Sequence, residues 1–177
     1  MEEIIGCVQI RTADAADATA IAELMNAELA TTTTEWNDVA HSEHAAAEWI
    51  RSHECVLVAE EGGAIVGFVA YDWFRGGSTS KPGYRFTVES SIRVAPDRRR
   101  AGLGRELMQA LIEHATAADK HVMVACIDSG NGRAIAFQES LGFREVGRMP
   151  EIGTKLGRWL DLVLMQLALD DRPPPPA

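Results

Sequence analysis

A β-run that passes through a glycine-rich turn straight into a helix is what most narrows the folds open to this chain. Ile92-Arg93-Val94 ends an extended segment, Ala95-Pro96-Asp97 closes it, and Gly104 to Ala118 carries helical periodicity through Leu107, Leu111 and Ile112. Between them lies Arg98-Arg99-Arg100-Ala101-Gly102-Leu103-Gly104. Glycines at 102 and 104 let the backbone approach a ligand closely and take conformations that a Cβ forbids. Amides at the start of the helix beyond, aided by its dipole, attract phosphate. Five arginines (93, 98, 99, 100 and 105) stand there against one acid, Asp97. The chain as a whole has a net charge of −9, so this local cationic patch points to an anionic ligand held at one place. The same net charge argues against nucleic acid or an anionic membrane as a bulk partner.

The turn is not a nucleotide-triphosphate loop, because no Gly-Lys-Ser/Thr follows at the required spacing. The dinucleotide-binding pattern fails too, since the position three past Gly104 is Leu107. A diphosphate site of another kind remains.

The elements around the turn alternate between strand and helix. Val8 to Arg11 reads as a strand, Asp14 as the cap of a helix running to about Leu29, and residues 31–41 as a polar loop. A second helix spans Ser42 to Ser52; Cys55–Ala59 and Ala64–Trp73 form a hairpin about Glu61-Gly62-Gly63. Phe74 to Pro82 reads as a loop and Tyr84 to Val94 as a long strand. His121 to Ile127 is a buried strand without charge, and Asn131 to Leu141 a helix stopped by Gly142. Phe143–Arg148 and Trp159–Leu169 are the last strands, with a loop from Pro150 to Gly157 between them. Residues 1–169 thus read as one α/β domain, and 170–177, with four consecutive prolines, as a tail that cannot continue a sheet.

Three cysteines without a C-x-x-C pair read as small buried hydrophobes, and five scattered histidines give no metal site. No apolar run approaches the length of a bilayer span and no signal-peptide pattern opens the chain, so cytoplasm is the expected location.

Arg99 through Gly104 resembles the R/Q-x-x-G-x-G/A motif of the GNAT superfamily of N-acetyltransferases. Downstream, Asn131 opens a helix that ends in Leu141-Gly142-Phe143, also in the manner of that superfamily. Tyr84 to Ser91, Gly157 to Asp161, Thr31 to Trp36 and Phe74-Arg75 are similar to its phosphinothricin (methionine sulfoximine) acetyltransferase branch. The resemblance covers about residues 8 to 169. It implies a mixed, mostly antiparallel sheet flanked by helices, with a splayed pair of central strands that admits the co-substrate. Acetyl-CoA would be that co-substrate, with no metal, a small amine or amino-acid-like molecule as partner, and a homodimer as the assembly.

The resemblance also assigns roles. Arg99, Arg100, Ala101, Gly102, Leu103 and Gly104 would cradle the CoA pyrophosphate. Ile92, Arg93 and Val94 would offer backbone groups to the pantetheine arm as an added strand does, and Asn131 would bond its amides or act only as a helix cap. Glu89 would accept the proton of the acceptor amine; from spacing alone it serves equally as a strand-face partner of Arg85 or Arg93. Arg75 and Arg85 could hold an acceptor carboxylate between apolar walls from Trp36 and Trp73, or form rim salt bridges beside core aromatics. Gln138 stands where many members carry a Tyr or His acid, so no general acid is assigned. Two other readings stay open. One is acetylation of a polyamine, an aminoglycoside or a protein N-terminus. The other is a non-catalytic acyl-CoA-binding module.

Overall fold

The computed structural model describes residues 7–76, 81–99 and 102–175. Its strands are β1 (Gln9–Thr12), β2 (Cys55–Glu61), β3 (Ala64–Trp73), β4 (Thr87–Val94), β5 (Val122–Asp128), β6 (Arg144–Lys155) and β7 (Arg158–Ala168). Its helices are α1 (Ala18–Asn26), α2 (Glu43–Ser52), α3 (Leu103–Ala117) and α4 (Gly132–Glu139). The strands hydrogen-bond in the order β1-β2-β3-β4-β5-β7-β6. Ladders β1–β2, β2–β3, β5–β7 and β6–β7 are antiparallel, whereas β4 and β5 run parallel. The expected mixed sheet flanked by helices is what the chain forms.

The β4–β5 ladder is short. It pairs Thr87 with Val122, Val88 with Met123 and Glu89 with Val124, although both strands continue well beyond.

By its internal contacts the chain divides into two compact units. The first comprises residues to Glu28, Val39–Tyr71 and Ser91–Leu111. Here Asp14, extended, accepts from the Ala16 amide while the Asp17 carboxylate takes the Asp14 amide, a reciprocal cap that starts a short 3-10 turn leading into α1. Asp17 also receives both Nη atoms of Arg11 at 2.8 Å, which holds its carboxyl below the usual carboxylate range. Ile21, Ala22 and Met25 of α1 and Ala46 of α2 pack on Val56, Val58, Phe68 and Ala70 of the β2–β3 hairpin. Each large side chain so buried contributes about 1.5–3 kcal/mol relative to exposure.

The second unit comprises Leu29–Asp38, Asp72–Ser90 and the chain from Ile112 onward. Met123, Ala125 and Ile127 on one face of β5 and Val124 on the other are buried, as are Val163 and Met165 of β7, so β5 is covered on both faces.

Two segments depart from the expected strands. Pro82–Tyr84 is a 3-10 turn, so β4 begins at Thr87 rather than at Tyr84; Pro82 sets the turn and Arg85 continues it in helical geometry. Residues 150–157 are not a loop, because β6 runs through to Lys155. Met149 opposes Leu162 and Gly153 opposes Leu160, so Pro150, Glu151 and Ile152 bulge against Asp161 alone. The Asp161 carboxylate accepts the Glu151 amide at 2.9 Å, replacing the ladder bond that the bulge removes. Leu156 and Gly157, with φ of 52° and 71°, then close a two-residue hairpin.

Beyond β7 the chain has no regular structure through Pro175, but its first residues are tied down. Asp170 meets His121 Nδ1 at 2.6 Å and Arg172 Nη2 at 2.5 Å, and Arg172 Nη1 reaches Asp119 at 2.5 Å.

Candidate active site

The glycine-rich turn belongs to the first unit. Gly102 has φ 91°, a left-handed conformation that a side chain would strain, and its carbonyl accepts from the Arg105 and Glu106 amides to start α3. The first amides of that fifteen-residue helix have no intrahelical acceptor, so an anion placed there finds donors and the positive end of the dipole. Leu103 is buried and, with Leu107, Met108 and Leu111, anchors the helix. Arg100 and Ala101 lie outside the described residues.

Three of the arginines around the turn have partners within the chain. Arg99 donates from both Nη atoms to Glu28 at 2.8 and 2.6 Å and from Nε to the Val94 carbonyl. Arg98 pairs with Glu61 at 2.9 Å, and Arg93 turns back to the Ile92 carbonyl. Arg98 and Arg99 thus brace the turn against β2 and against the turn that follows α1. Among the described residues the turn offers an anion the amides at the start of α3.

Glu89 belongs to the second unit and is half-buried on β4. Its neighbour Ser90 spends its hydroxyl on the Val124 carbonyl at 3.2 Å. The Glu89 carboxylate is within hydrogen-bonding reach of the Cys126 thiol, and burial first, then that carboxylate, push the thiol up to about 12. Cys126 was not expected at a site. Only the parallel register, with Glu89 opposite Val124, places it there.

Asn131 caps α4, its Oδ1 accepting from the Ala134 amide at 3.1 Å. On the same helix Gln138 is 5 % exposed, and its Oε1 has no hydrogen-bond partner among the described residues.

Arg75 and Arg85 both belong to the second unit, and each lies by an aromatic ring. The Arg75 guanidinium lies 5.7 Å from the centre of the Tyr84 ring, which packs edge-on against Phe74. Arg85 lies 4.5 Å over Phe86 and donates to the Pro82 carbonyl. Both arginines are exposed, and neither meets a carboxylate among the described residues. Arg75 also holds φ 57°, uncommon for a residue with a side chain. The two tryptophans have other surroundings. The Lys120 ammonium sits 3.4 Å over the Trp73 ring. Trp36 donates to the Thr33 carbonyl, and its ring presses on Gly153, where any Cβ would collide with it.

The Thr-rich loop is held by residues that carried no signal in the sequence. Thr33 donates to the buried carboxylate of Asp128, which also accepts from the Gly130 amide at 3.1 Å. Lys155 is 3 % exposed and donates to the Glu35 and Asn37 carbonyls at 2.5 and 3.0 Å. A cavity of about 300 Å³ opens beside this loop, at Asp38 and the hairpin tip Thr154–Trp159. It is lined by none of Glu89, Trp36, Trp73, Arg75 or Arg85.

The model of the Acetyltransferase (GNAT) family matches residues 21–143. An L-methionine sulfoximine/L-methionine sulfone acetyltransferase of Salmonella typhimurium is 42% identical, with 95% of this chain and 98% of that protein covered. The structure of yncA from Salmonella typhimurium with its cofactor acetyl-CoA superposes with a TM-score of 0.90 at 40% identity, over 97% of this chain and 99% of that one. A phosphinothricin acetyltransferase of Sinorhizobium meliloti in complex with AcCoA gives 0.84 at 31% identity, over 91% and 88% of the two chains.

Proposed function

The chain belongs to the GNAT family of acetyltransferases, and from that membership we propose that it acetylates the α-amino group of a small amino-acid-like acceptor, with acetyl-CoA as donor. Methionine sulfone, methionine sulfoximine and phosphinothricin define the acceptor class. One observation carries the choice of an acceptor with an acidic group. Arg75 lies over Tyr84 and Arg85 over Phe86, both without a protein carboxylate among the described residues, which suits bidentate binding of an anionic substituent. A polyamine or aminoglycoside has no use for such a pair.

On the first unit the donor's pyrophosphate rests on the amides of Gly102 to Gly104, and its pantetheine arm bonds the backbone of Ile92 and Val94. Arg99 and Arg93 shape this seat, with Arg100 and Ala101 completing the loop. Asn131 offers its Nδ2 hydrogens to a pantetheine carbonyl while its Oδ1 caps α4.

An α-amino group titrates near about 8, so at neutral pH much of it carries the extra proton. Glu89 takes that proton, directly or through one water, and the freed lone pair attacks the thioester carbonyl. The N–C bond forms, the C–S bond breaks, and CoA departs as a thiolate, tolerable for a thiol with pKa of about 8.5. Attack is direct. The thiol nearest to Glu89, that of Cys126, is held protonated and is a poor nucleophile. Gln138 donates from its amide to the leaving sulfur without acting as an acid.

Residues 1–169 act as one catalytic domain in this reading, and the working form is a homodimer in the cytoplasm. β6 supports the dimer: it ends the strand order and exposes Val146, Met149 and Ile152 beside Leu156 and Trp159. Among the described residues no helix is long and apolar enough to cross a membrane.

A panel of amino acids and amines assayed with acetyl-CoA for thiol release tests the function. Turnover should be fastest with methionine sulfone, methionine sulfoximine or phosphinothricin. Fastest turnover of a polyamine or aminoglycoside would overturn the acceptor class. Background rates throughout, with acetyl-CoA still bound, would leave a non-catalytic binding module.

A further inference from the structure

Two of the three cysteines sit inside the fold, and they differ in what they meet. Cys55 on β2 is 5 % exposed, and burial alone pushes its thiol up to about 11. It acts as a small hydrophobe, as the sequence suggested. Cys126 is half-buried on β5 and has a carboxylate beside it.

The sheet geometry explains that contact. Glu89 of β4 is the register partner of Val124 on the parallel strand β5. Paired residues of neighbouring strands point to the same face, and so does every second residue along each strand. Thr87 and Glu89 therefore share a face with Val122, Val124 and Cys126, and Cys126 is one pleat beyond Glu89's partner. Ser90 is on the opposite face and already bonded to the Val124 carbonyl, so it cannot serve Glu89. A thiol has one proton to donate, and a carboxylate can only accept.

We propose that Cys126 is a positioning residue for acetyl transfer, its S–H donating to the Glu89 carboxylate and holding it in the rotamer that receives the amine's proton. This rests on Glu89 being the base. The thiol forms no bond to the acyl group and loses no proton in the cycle. A carboxylate with one oxygen held has fewer orientations to lose when the acceptor arrives, and misorientation of a catalytic group is costly in rate.

The test is a double-mutant cycle on the full chain, read as CoA release with acetyl-CoA and methionine sulfone. C126A should lower kcat about three- to tenfold, the range for loss of one weak hydrogen bond, with the KM for acetyl-CoA and the Tm nearly unchanged. C126S, which keeps a donor, should restore kcat to within about twofold of the parent. In an E89Q background, C126A should change kcat by less than about twofold. An equal loss from C126A in both backgrounds, no loss from C126A in the parent, or a serine variant as slow as the alanine one would each overturn the proposal. Should C126A fail to fold, C126V, of similar volume and without a donor, takes its place in the cycle. A parental rate in E89Q alone would instead remove Glu89 from the base role, a separate failure that precedes the cycle.

Discussion

The donor turn and the acceptor cluster both rely on arginine and use it in opposite ways. At the turn, Arg98 and Arg99 pair with Glu61 and Glu28, and in this proposal the amides from Gly102 to Gly104 hold the donor. Arg75 over Tyr84 and Arg85 over Phe86 meet no carboxylate among the described residues, which in this proposal leaves their edges to a substrate. A diphosphate carries enough charge to be held by backbone dipoles at a helix start, and arginine there can be given over to bracing. A small acceptor has one acidic group and needs directed, bidentate donors. In this proposal the same side chain is scaffold in one region and ligand in the other.

The largest effect should come from the acceptor region's chemistry. Glu89→Gln should lower kcat about 100-fold or more, while calorimetric affinity for acetyl-CoA changes less than about twofold. Equal losses in rate and donor affinity would mean that Glu89 serves the donor, and the separation of the two regions would not stand. The arginines give a sharper contrast. Arg75→Gln or Arg85→Gln should raise the KM for methionine sulfone about 10- to 100-fold at constant stability, as loss of a charge-assisted bond does. Arg99→Gln should act the other way. Its ion pair is about one-third exposed, so the loss is about 1 kcal/mol, or 2–4 °C in Tm, with the acceptor KM unchanged. A KM effect from Arg99, or a purely thermal one from Arg75, would reverse the assignment.

The thiols of Cys55 and Cys126 give an effect on stability. In the folded state they are pushed up to about 11 for Cys55 and about 12 for Cys126, above the ordinary thiol value of about 8.5. Unfolded thiols ionise first, so the folded state binds more protons between about pH 9 and 12 and loses stability as pH rises through that window. Melting at pH 10 against pH 8 should show a fall of about 2–3 kcal/mol, roughly 5–10 °C, that a Cys55→Ala, Cys126→Ala double variant lacks. Exposed Cys7 should react with a thiol reagent in the native protein well before the other two.

Much of the fold was legible because its signals are local. Asp14 and Ser42 cap where their side chains can reach the next amides, and Gly142 ends its helix with φ 94°. The β6 extension was not legible, because Pro150 and Gly153 read as loop formers. Only Asp161, across the hairpin, supplies the acceptor that lets a bulge replace a loop. Glu89, Arg75 and Arg85 were legible as candidates through their motifs. Lys155, Asp128 and Cys126 were not, since an isolated lysine, aspartate or cysteine in or beside a strand says nothing of its partners.

The sequence by itself determined the strand–turn–helix at Ile92 to Gly104, since glycine conformation, helix start and backbone amides all belong to one run of residues. It could not decide what the arginines of that run would do, because Glu28 and Glu61 reach them from other elements. Nor could it bring Cys126 to Glu89, which takes a parallel register between strands separated by a helix. Hydrogen-bond partners distant along the chain are set by packing, and only the tertiary structure decides them.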